Sequence, residues 1–196
     1  MKTPIKMLLI GMVSGFLSFL TFVLTDEIDV KLPSVFGFLL VYSPGIMFAV
    51  FMALVFLKKG IPKDKAFIIA WIPFVTMAYI IAYHLVYFID HETVFFISGT
   101  LGALIVSVVF HFFIKKIQFK EVFVIALSGG LLGLSWYLGE FEFFDNLNYP
   151  LHRIFNDPPD GVLGNIFASA SYLYLFVMWQ GGIAYLLGRA ISKKAT

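Results

Sequence analysis

The sequence contains no cysteine among its 196 residues. Without thiols the chain can form no disulfide, hold no metal through thiolates and carry no lipid on cysteine. Folds that depend on disulfides or on cysteine-bound metals are therefore excluded, while the redox compartment stays open.

Charged residues are also scarce. They make up 13% of the chain, whereas soluble domains carry about a quarter. Hydrophobic residues make up 60%, and so large an apolar surplus needs a lipid environment. We expect membrane lipid as a partner and no nucleic acid, since the lysines form no patch beyond those that flank the apolar runs.

Six apolar runs predict an all-α integral membrane protein, a six-helix bundle that forms a single transmembrane domain over residues 1–196. A helix that rises ~1.5 Å per residue needs about 20 residues to cross ~30 Å of hydrocarbon. The predicted spans are Ile5–Leu24, Val35–Leu57, Ala66–Ile89, Val94–Ile114, Val122–Leu138 and Ile166–Leu187.

The basic residues predict the orientation of these spans. If both termini are cytoplasmic, all 14 lysines and arginines lie inside except Lys31 and Arg153. Of the 12 acidic residues, only Asp64 and Glu121 then lie inside. Because lysine and arginine in short loops set topology, we expect both termini in the cytoplasm. We expect the membrane to be a bacterial or archaeal plasma membrane. In a cell with two membranes this would be the inner membrane.

Apart from Lys6 at the start of the first, the predicted spans contain no Asp, Glu, Lys or Arg. Proton-coupled pumps, voltage sensors and intramembrane metalloproteases depend on such groups, so the sequence disfavours these classes. We expect no metal and no cofactor. Gln180 is the most polar side chain deep in a predicted span, and we expect it to bond to a neighbouring helix.

The longest polar interruption is the predicted loop between the fifth and sixth spans, Gly139–Gly164. Aromatic and charged residues alternate in it, which suits a segment at the headgroup level. We predict a long structured extracytoplasmic loop. It would either cap an outward-facing cavity or seal the bundle as an interfacial segment.

The third predicted span ends in a polar and aromatic pattern. Tyr79, Tyr83 and Tyr87 follow at i, i+4 spacing, and His84 lies about five residues, or ~7 Å, below the outer surface. The pattern indicates either an outward-facing ligand site or a tyrosine belt at the membrane interface. The candidate ligand-binding residues are Tyr83, His84, Tyr87, His91, Trp136, His152 and Arg153.

Glycines at close spacing predict tight helix contacts, because small residues let helices approach closely in lipid. The pair in the first span could face a helix of the same chain or a second copy. The predicted packing residues are Gly11, Gly15, Gly129, Gly130 and Gly133.

Three functional hypotheses follow. The first is a small-molecule-binding or transport subunit with an outward-facing cavity capped by residues 139–164. In general plan such a chain is similar to the substrate-binding membrane components of energy-coupling-factor vitamin transporters, a likeness of architecture alone. The second is a non-catalytic subunit that anchors or assists a larger complex, with a membrane-protein partner or a second copy of itself. The third is an outer-leaflet enzyme acting on lipid-linked substrates through histidines and nearby acids; we name no catalytic residue.

Overall fold

The computed structural model describes residues 2–28, 41–62, 64–88, 91, 93–139 and 170–193. Within these ranges the chain forms helices and no strand, so the predicted all-α fold is confirmed there. The helices are α1 (Thr3–Ile28), α2 (Ser43–Lys59), α3 (Lys65–Phe88), α4 (Val94–Val109), α5 (Phe119–Gly139) and α6 (Ala170–Ser192).

Three of the helical stretches are long and apolar enough to cross a bilayer: Thr3–Thr21, Lys65–Val86 and Val94–Ile114. They overlap the first, third and fourth predicted spans. A chain with several such helices is an integral membrane protein by length and composition. The predicted membrane character is therefore supported by the helices themselves.

Local sequence explains where several helices begin and end. Pro44 stands in the first turn of α2, where its missing N–H costs nothing. Gly60 ends α2 with a φ of 63°, and its N–H donates to the Leu57 carbonyl. Asp64 then caps α3, since its carboxylate accepts the Ala66 N–H at 2.8 Å.

The last turn of α4 widens into a π-helical turn, Phe110–Ile114. It closes where the Lys115 N–H donates to the Phe110 carbonyl at 2.9 Å, five residues back. His111 supports the connection that follows, because its Nδ1 lies 2.9 Å from the Ile117 carbonyl oxygen and 3.2 Å from the Ile117 nitrogen. This histidine therefore has a structural role at the α4–α5 turn.

The six helices form a ring. Each packs against its neighbour in the chain, and α6 closes the ring against α1. A core cluster of buried side chains draws on all six helices. The last residues of α1, α3 and α5 lie at one end of the ring, and the last residues of α2, α4 and α6 lie at the other.

Glycines lie at the two closest seams of the ring. A Cβ at Gly11 would stand 2.5 Å from the Gln180 carbonyl oxygen, and one at Gly15 would collide with the Phe176 carbonyl. The first-span glycines thus face α6 of the same chain. The α4–α5 seam holds Gly129, Gly130 and Gly133, and a Cβ at any of them would collide with α4.

One half of the bundle is filled by aromatic side chains. Trp71 is completely buried, and its indole N–H donates to the Ala49 carbonyl at 3.0 Å. The rings of Phe56 and Phe110 stand 5.2 and 6.3 Å from it, centroid to centroid, in edge-on geometry. We call Trp71, Phe56 and Phe110 the aromatic core.

Polar contacts join the helix ends next to the aromatic core. The Lys115 ammonium donates to the carbonyls of Ala190, Ile191 and Lys193, which α6 leaves unpaired at its C-terminus. Lys193 in turn pairs with Glu121. Burial alone would raise the pKa of the Glu121 carboxyl, but hydrogen bonds from the Lys193 side chain and the Gln118 backbone outweigh it and lower the pKa below 4.5.

Candidate functional site

A cavity of about 250 Å³ lies inside the ring, in the half away from the aromatic core. Residues of five helices, α2 to α6, line it. On α3 its lining runs from Val75 to Val86, which is ~16 Å along the helix. The cavity therefore extends from mid-bundle toward the end where α5 finishes and α6 begins.

The cavity walls are mostly apolar and rich in aromatic rings. Tyr79 and Tyr83 lie one turn apart on α3, with centroids 5.9 Å apart and planes inclined by 22°. Across the cavity, Phe48 and Trp179 meet edge-on at 6.1 Å. Such walls suit a flat apolar molecule, because rings stack or meet edge to face.

Several glycines belong to the lining. The lining includes Gly45, Gly99, Gly102 and Gly133, one or more from each of α2, α4 and α5. A Cβ at Gly102 would stand 3.3 Å from the Ala82 Cβ and 3.5 Å from Trp179. A larger side chain at Gly102 would therefore press on Ala82 and Trp179, which also line the cavity.

Gln180 contributes a polar group to this apolar wall. It is 3% exposed, and its Nε2 donates to Ser18 Oγ at 3.0 Å and to the Pro44 carbonyl at 3.3 Å. The expected bond from Gln180 to neighbouring helices is confirmed. Its Oε1 has no hydrogen-bond partner among the described residues.

The orientation of the Gln180 amide follows from its partners. The Ser18 hydroxyl donates to the Ser14 carbonyl at 2.8 Å, so it accepts from Gln180. A backbone carbonyl such as that of Pro44 can only accept. The amide nitrogen must therefore face these two oxygens, and the amide oxygen is directed away from both.

Ser98 is the second unpaired polar group in the wall. Its side chain is 5% exposed, and its Oγ has no partner among the described residues. Other serines in these helices bond back to a carbonyl of the preceding turn, as Ser107 does to Leu104 at 2.9 Å. Buried polar groups without partners are rare, and each calls for an explanation.

Of the candidate ligand-binding residues, Tyr83 lines the cavity. His84 does not; its exposed ring is turned to Tyr42, with 2.6 Å between the tyrosine oxygen and Nε2. His91 is exposed, and its Nδ1 accepts the Thr93 N–H at 3.2 Å just before α4. The structure thus places Tyr83 and His84 side by side but on different faces of α3.

The remaining candidates lie outside the described part of the chain. These are the side chains of Tyr87 and Trp136, together with His152 and Arg153. The same holds for the predicted cap, Gly139–Gly164, of which only Gly139, the last residue of α5, is described. Its attachment points, the end of α5 and the start of α6, stand at the cavity end of the ring.

Sequence reasoning missed two of the residues that matter most here, Ser98 and Gly102. No local pattern marks Ser98, because an isolated serine in an apolar helix is common. Gln180 was singled out for its depth in the sixth predicted span, but it was not among the candidate ligand-binding residues. Among the described residues no group of three or more histidines and acids could hold a metal ion.

We compared the chain with protein-family models, curated proteins and solved structures, and none of them matched it.

Proposed function

We propose that this chain is a small-molecule-binding or transport subunit of a plasma membrane, which it crosses six times. The observation that carries the proposal is the cavity of about 250 Å³, which residues of five helices line with aromatic rings. A bundle that served only as a scaffold would have little reason to leave such a space, since packing is the main force between helices in lipid.

The size of the cavity favours a compact ligand. An apolar cavity of about 150 Å³ can hold benzene, and typical ligand pockets begin near 300 Å³. The present cavity lies between these values. A single ring with a few further atoms would fill it.

The charge distribution supports an outward-facing cavity. Lysines and arginines gather at the end of the ring opposite the cavity, where Lys59 also reaches Thr3 at the start of α1. Since basic residues stay on the cytoplasmic side, we propose that both termini are cytoplasmic and that the cavity faces outward. Residues 139–164 would then cap it from outside.

The two other hypotheses have less support. The anchoring subunit requires small-residue faces that are free for a partner, but Gly11 and Gly15 contact α6 of the same chain. The enzyme requires histidines and acids to converge at the outer end. The acids of that end belong to parts of the chain, or to side chains, that the structure does not describe.

The test is native mass spectrometry of the protein gently extracted from its own membrane. We expect a bound small molecule in the wild type and its loss in Gly102→Leu, whose side chain enters the cavity. Leu104→Phe adds bulk to an exposed position of the same helix and is the matched control; it should keep the ligand.

Two results would overturn the proposal. One is a wild-type protein that carries no small molecule and acquires none from its own lipid extract. The other is a ligand that stays bound to a folded Gly102→Leu protein as tightly as to Leu104→Phe. A thermal unfolding scan of each variant establishes that it is folded.

A further inference from the structure

We infer that the ligand is an apolar aromatic molecule, which the cavity holds through contacts with aromatic rings and without hydrogen bonds. This inference rests on the proposed function and narrows it to a class of ligand. It stands on the chemistry of the side chains that line the cavity and on which of their polar atoms a ligand can reach.

The amide of Gln180 and the hydroxyl of Ser98 belong to the lining but offer a ligand no hydrogen bond. Both hydrogens of the Gln180 Nε2 are donated within the protein, to Ser18 Oγ and to the Pro44 carbonyl. The Gln180 Oε1 and the Ser98 Oγ are unpaired, but each has almost no accessible surface. A molecule in the cavity touches atoms that have such surface, so it reaches neither oxygen.

The described residues of the lining also carry no charge. None of them is Asp, Glu, Lys, Arg or His. Moving an unpaired charge from water into an apolar site is very costly, and moving a hydroxyl or an amide that finds no partner there is also unfavourable. The cavity therefore favours a ligand that buries neither a charge nor a hydrogen-bonding group in it.

The hydroxyls of Tyr79, Tyr83 and Tyr172 are the other polar side-chain atoms of the described lining. Each of these residues has interactions within the protein. We expect the tyrosines to contribute their rings to the ligand. Removal of a tyrosine hydroxyl alone should therefore leave the affinity unchanged.

Aromatic rings are what the lining offers in place of hydrogen bonds. Of the 19 described residues that line the cavity, seven are aromatic. The rings of Tyr79 and Tyr83 lie nearly parallel, and those of Phe48 and Trp179 meet edge-on. Aromatic pairs gain free energy beyond the area they bury, so an aromatic ligand gains more here than an aliphatic ligand of equal size. A lipid acyl chain would bury apolar area without this gain.

The test uses p-xylene, p-cresol and dimethylcyclohexane, the saturated counterpart of p-xylene, with the full-length protein in lipid nanodiscs. In p-cresol a hydroxyl replaces one methyl group of p-xylene, and in dimethylcyclohexane the ring is aliphatic. Calorimetry gives each dissociation constant, which partition into empty nanodiscs converts to a mole fraction of the probe in lipid. On this scale a difference between probes reports the site, because the hydrophobicity of each probe cancels.

We expect p-xylene to bind about tenfold more tightly than p-cresol, because the hydroxyl gives up its hydrogen bonds at the headgroups and finds no partner in the cavity. We expect it to bind about threefold to tenfold more tightly than dimethylcyclohexane, because of its contacts with the rings. Equal affinities for p-xylene and p-cresol would overturn the apolar class. Equal affinities for p-xylene and dimethylcyclohexane would overturn the aromatic class and would mean that any apolar group is accepted, an acyl chain included.

A pair of variants at Tyr83 separates the ring from its hydroxyl. Tyr83→Leu removes the ring and should weaken p-xylene binding about threefold to tenfold, whereas Tyr83→Phe keeps the ring and should bind p-xylene like the wild type. A thermal unfolding scan establishes that both variants are folded. If Tyr83→Leu is folded and binds p-xylene as tightly as Tyr83→Phe, the role of the rings is contradicted.

A second pair tests the buried hydroxyl of Ser98. Ser98→Ala should leave the affinities for p-xylene and p-cresol as they are in its control, Ser14→Ala. Ser14 is also a fully buried helical serine whose Oγ has no partner among the described residues, but it does not line the cavity. Weaker p-cresol binding in Ser98→Ala alone would mean that a ligand hydroxyl bonds to Ser98, against the inference. Since the Ser98 hydroxyl makes no hydrogen bond among the described residues, Ser98→Ala should fold even if Tyr83→Leu does not.

Failure of this inference differs from failure of the proposed function. If native mass spectrometry finds a charged or polar ligand that Gly102→Leu loses, the ligand class is wrong and the binding function stands. If none of the three probes binds and native mass spectrometry finds no ligand, the proposed function fails as well.

Discussion

The two halves of the bundle are built from similar residues and differ in what stands opposite them. In the half near the lysines, Trp71 meets Phe56 and Phe110, and its N–H is paired. In the other half, aromatic rings line a cavity, and Ser98 and Gln180, which belong to the same lining, keep unpaired oxygens. The half near the lysines is closely packed and its Trp71 N–H is hydrogen-bonded, as polar groups in protein interiors usually are. The other resembles a site that a ligand completes.

The largest expected effect contrasts two tryptophans. Trp71→Ala should lower the free energy of unfolding by about 3–5 kcal/mol, because it leaves a cavity in a packed region and an unpaired carbonyl at Ala49. Trp179→Ala should cost less, since Trp179 already borders empty space. Unfolding of both variants in a denaturing-detergent titration measures the difference.

If Trp71→Ala and Trp179→Ala lowered the free energy of unfolding equally, the two halves would not differ in packing as described. Phe119→Ala serves as the control, because Phe119 is almost fully exposed. Its free energy of unfolding should stay within about 0.5 kcal/mol of the wild type.

An intermediate effect contrasts two glycines. Gly15→Ala should cost about 1–3 kcal/mol, because a Cβ there collides with the backbone of α6 at Phe176 and α1 must move. Gly102→Ala should cost less, since its nearest neighbour is the Ala82 methyl group at 3.3 Å and the cavity is beside it. The same unfolding titration reports both values.

If Gly102→Ala lowered the free energy of unfolding more than Gly15→Ala did, the space beside Gly102 would not be available to a side chain. That result would also weaken Gly102→Leu as a cavity-filling variant. An unchanged free energy of unfolding in Gly15→Ala would mean that α1 and α6 can move apart without a loss of stability.

The smallest effect concerns the ion pair at the lysine end. Glu121→Gln should lower the free energy of unfolding by about 0.2–1 kcal/mol near neutral pH, as partly exposed pairs do. The pKa of Glu121 is lower in the folded chain, so the stabilisation is complete above the unfolded pKa and is lost as the pH falls through the folded pKa. Unfolding titrations of wild type and variant from neutral to acid pH should therefore converge in acid.

Lys116→Gln, which changes an exposed lysine in the turn just before α5, is the control for Glu121→Gln. A difference between wild type and Glu121→Gln that grew as the pH fell would contradict the sign of the pKa shift.

The helices themselves could be predicted from the sequence with good accuracy. Long apolar runs predicted α3 and α4 to within one residue at their start, and lipid leaves few alternatives to the helix for such runs. The glycines at 11 and 15 predicted a close helix contact, and the depth of Gln180 predicted a bond to a neighbour. Each of these follows from local chemistry in a low-dielectric medium.

The candidate site could be predicted only in part. His84 was favoured because it is a rare titratable group near the outer surface, yet its ring contacts Tyr42 and does not line the cavity. Tyr83, its neighbour in the chain, lines the cavity instead. Sequence spacing groups residues on a helix, but it does not say which side of that helix faces the interior when nearly every side is apolar.

By itself, then, the sequence determined that this is a helical membrane protein with its basic residues gathered at one end, because hydrophobicity and charge act along the chain. The tertiary structure decided which helices meet, and that residues from five of them line one shared cavity. A cavity is a property of several helices at once, so no single stretch of sequence contains it.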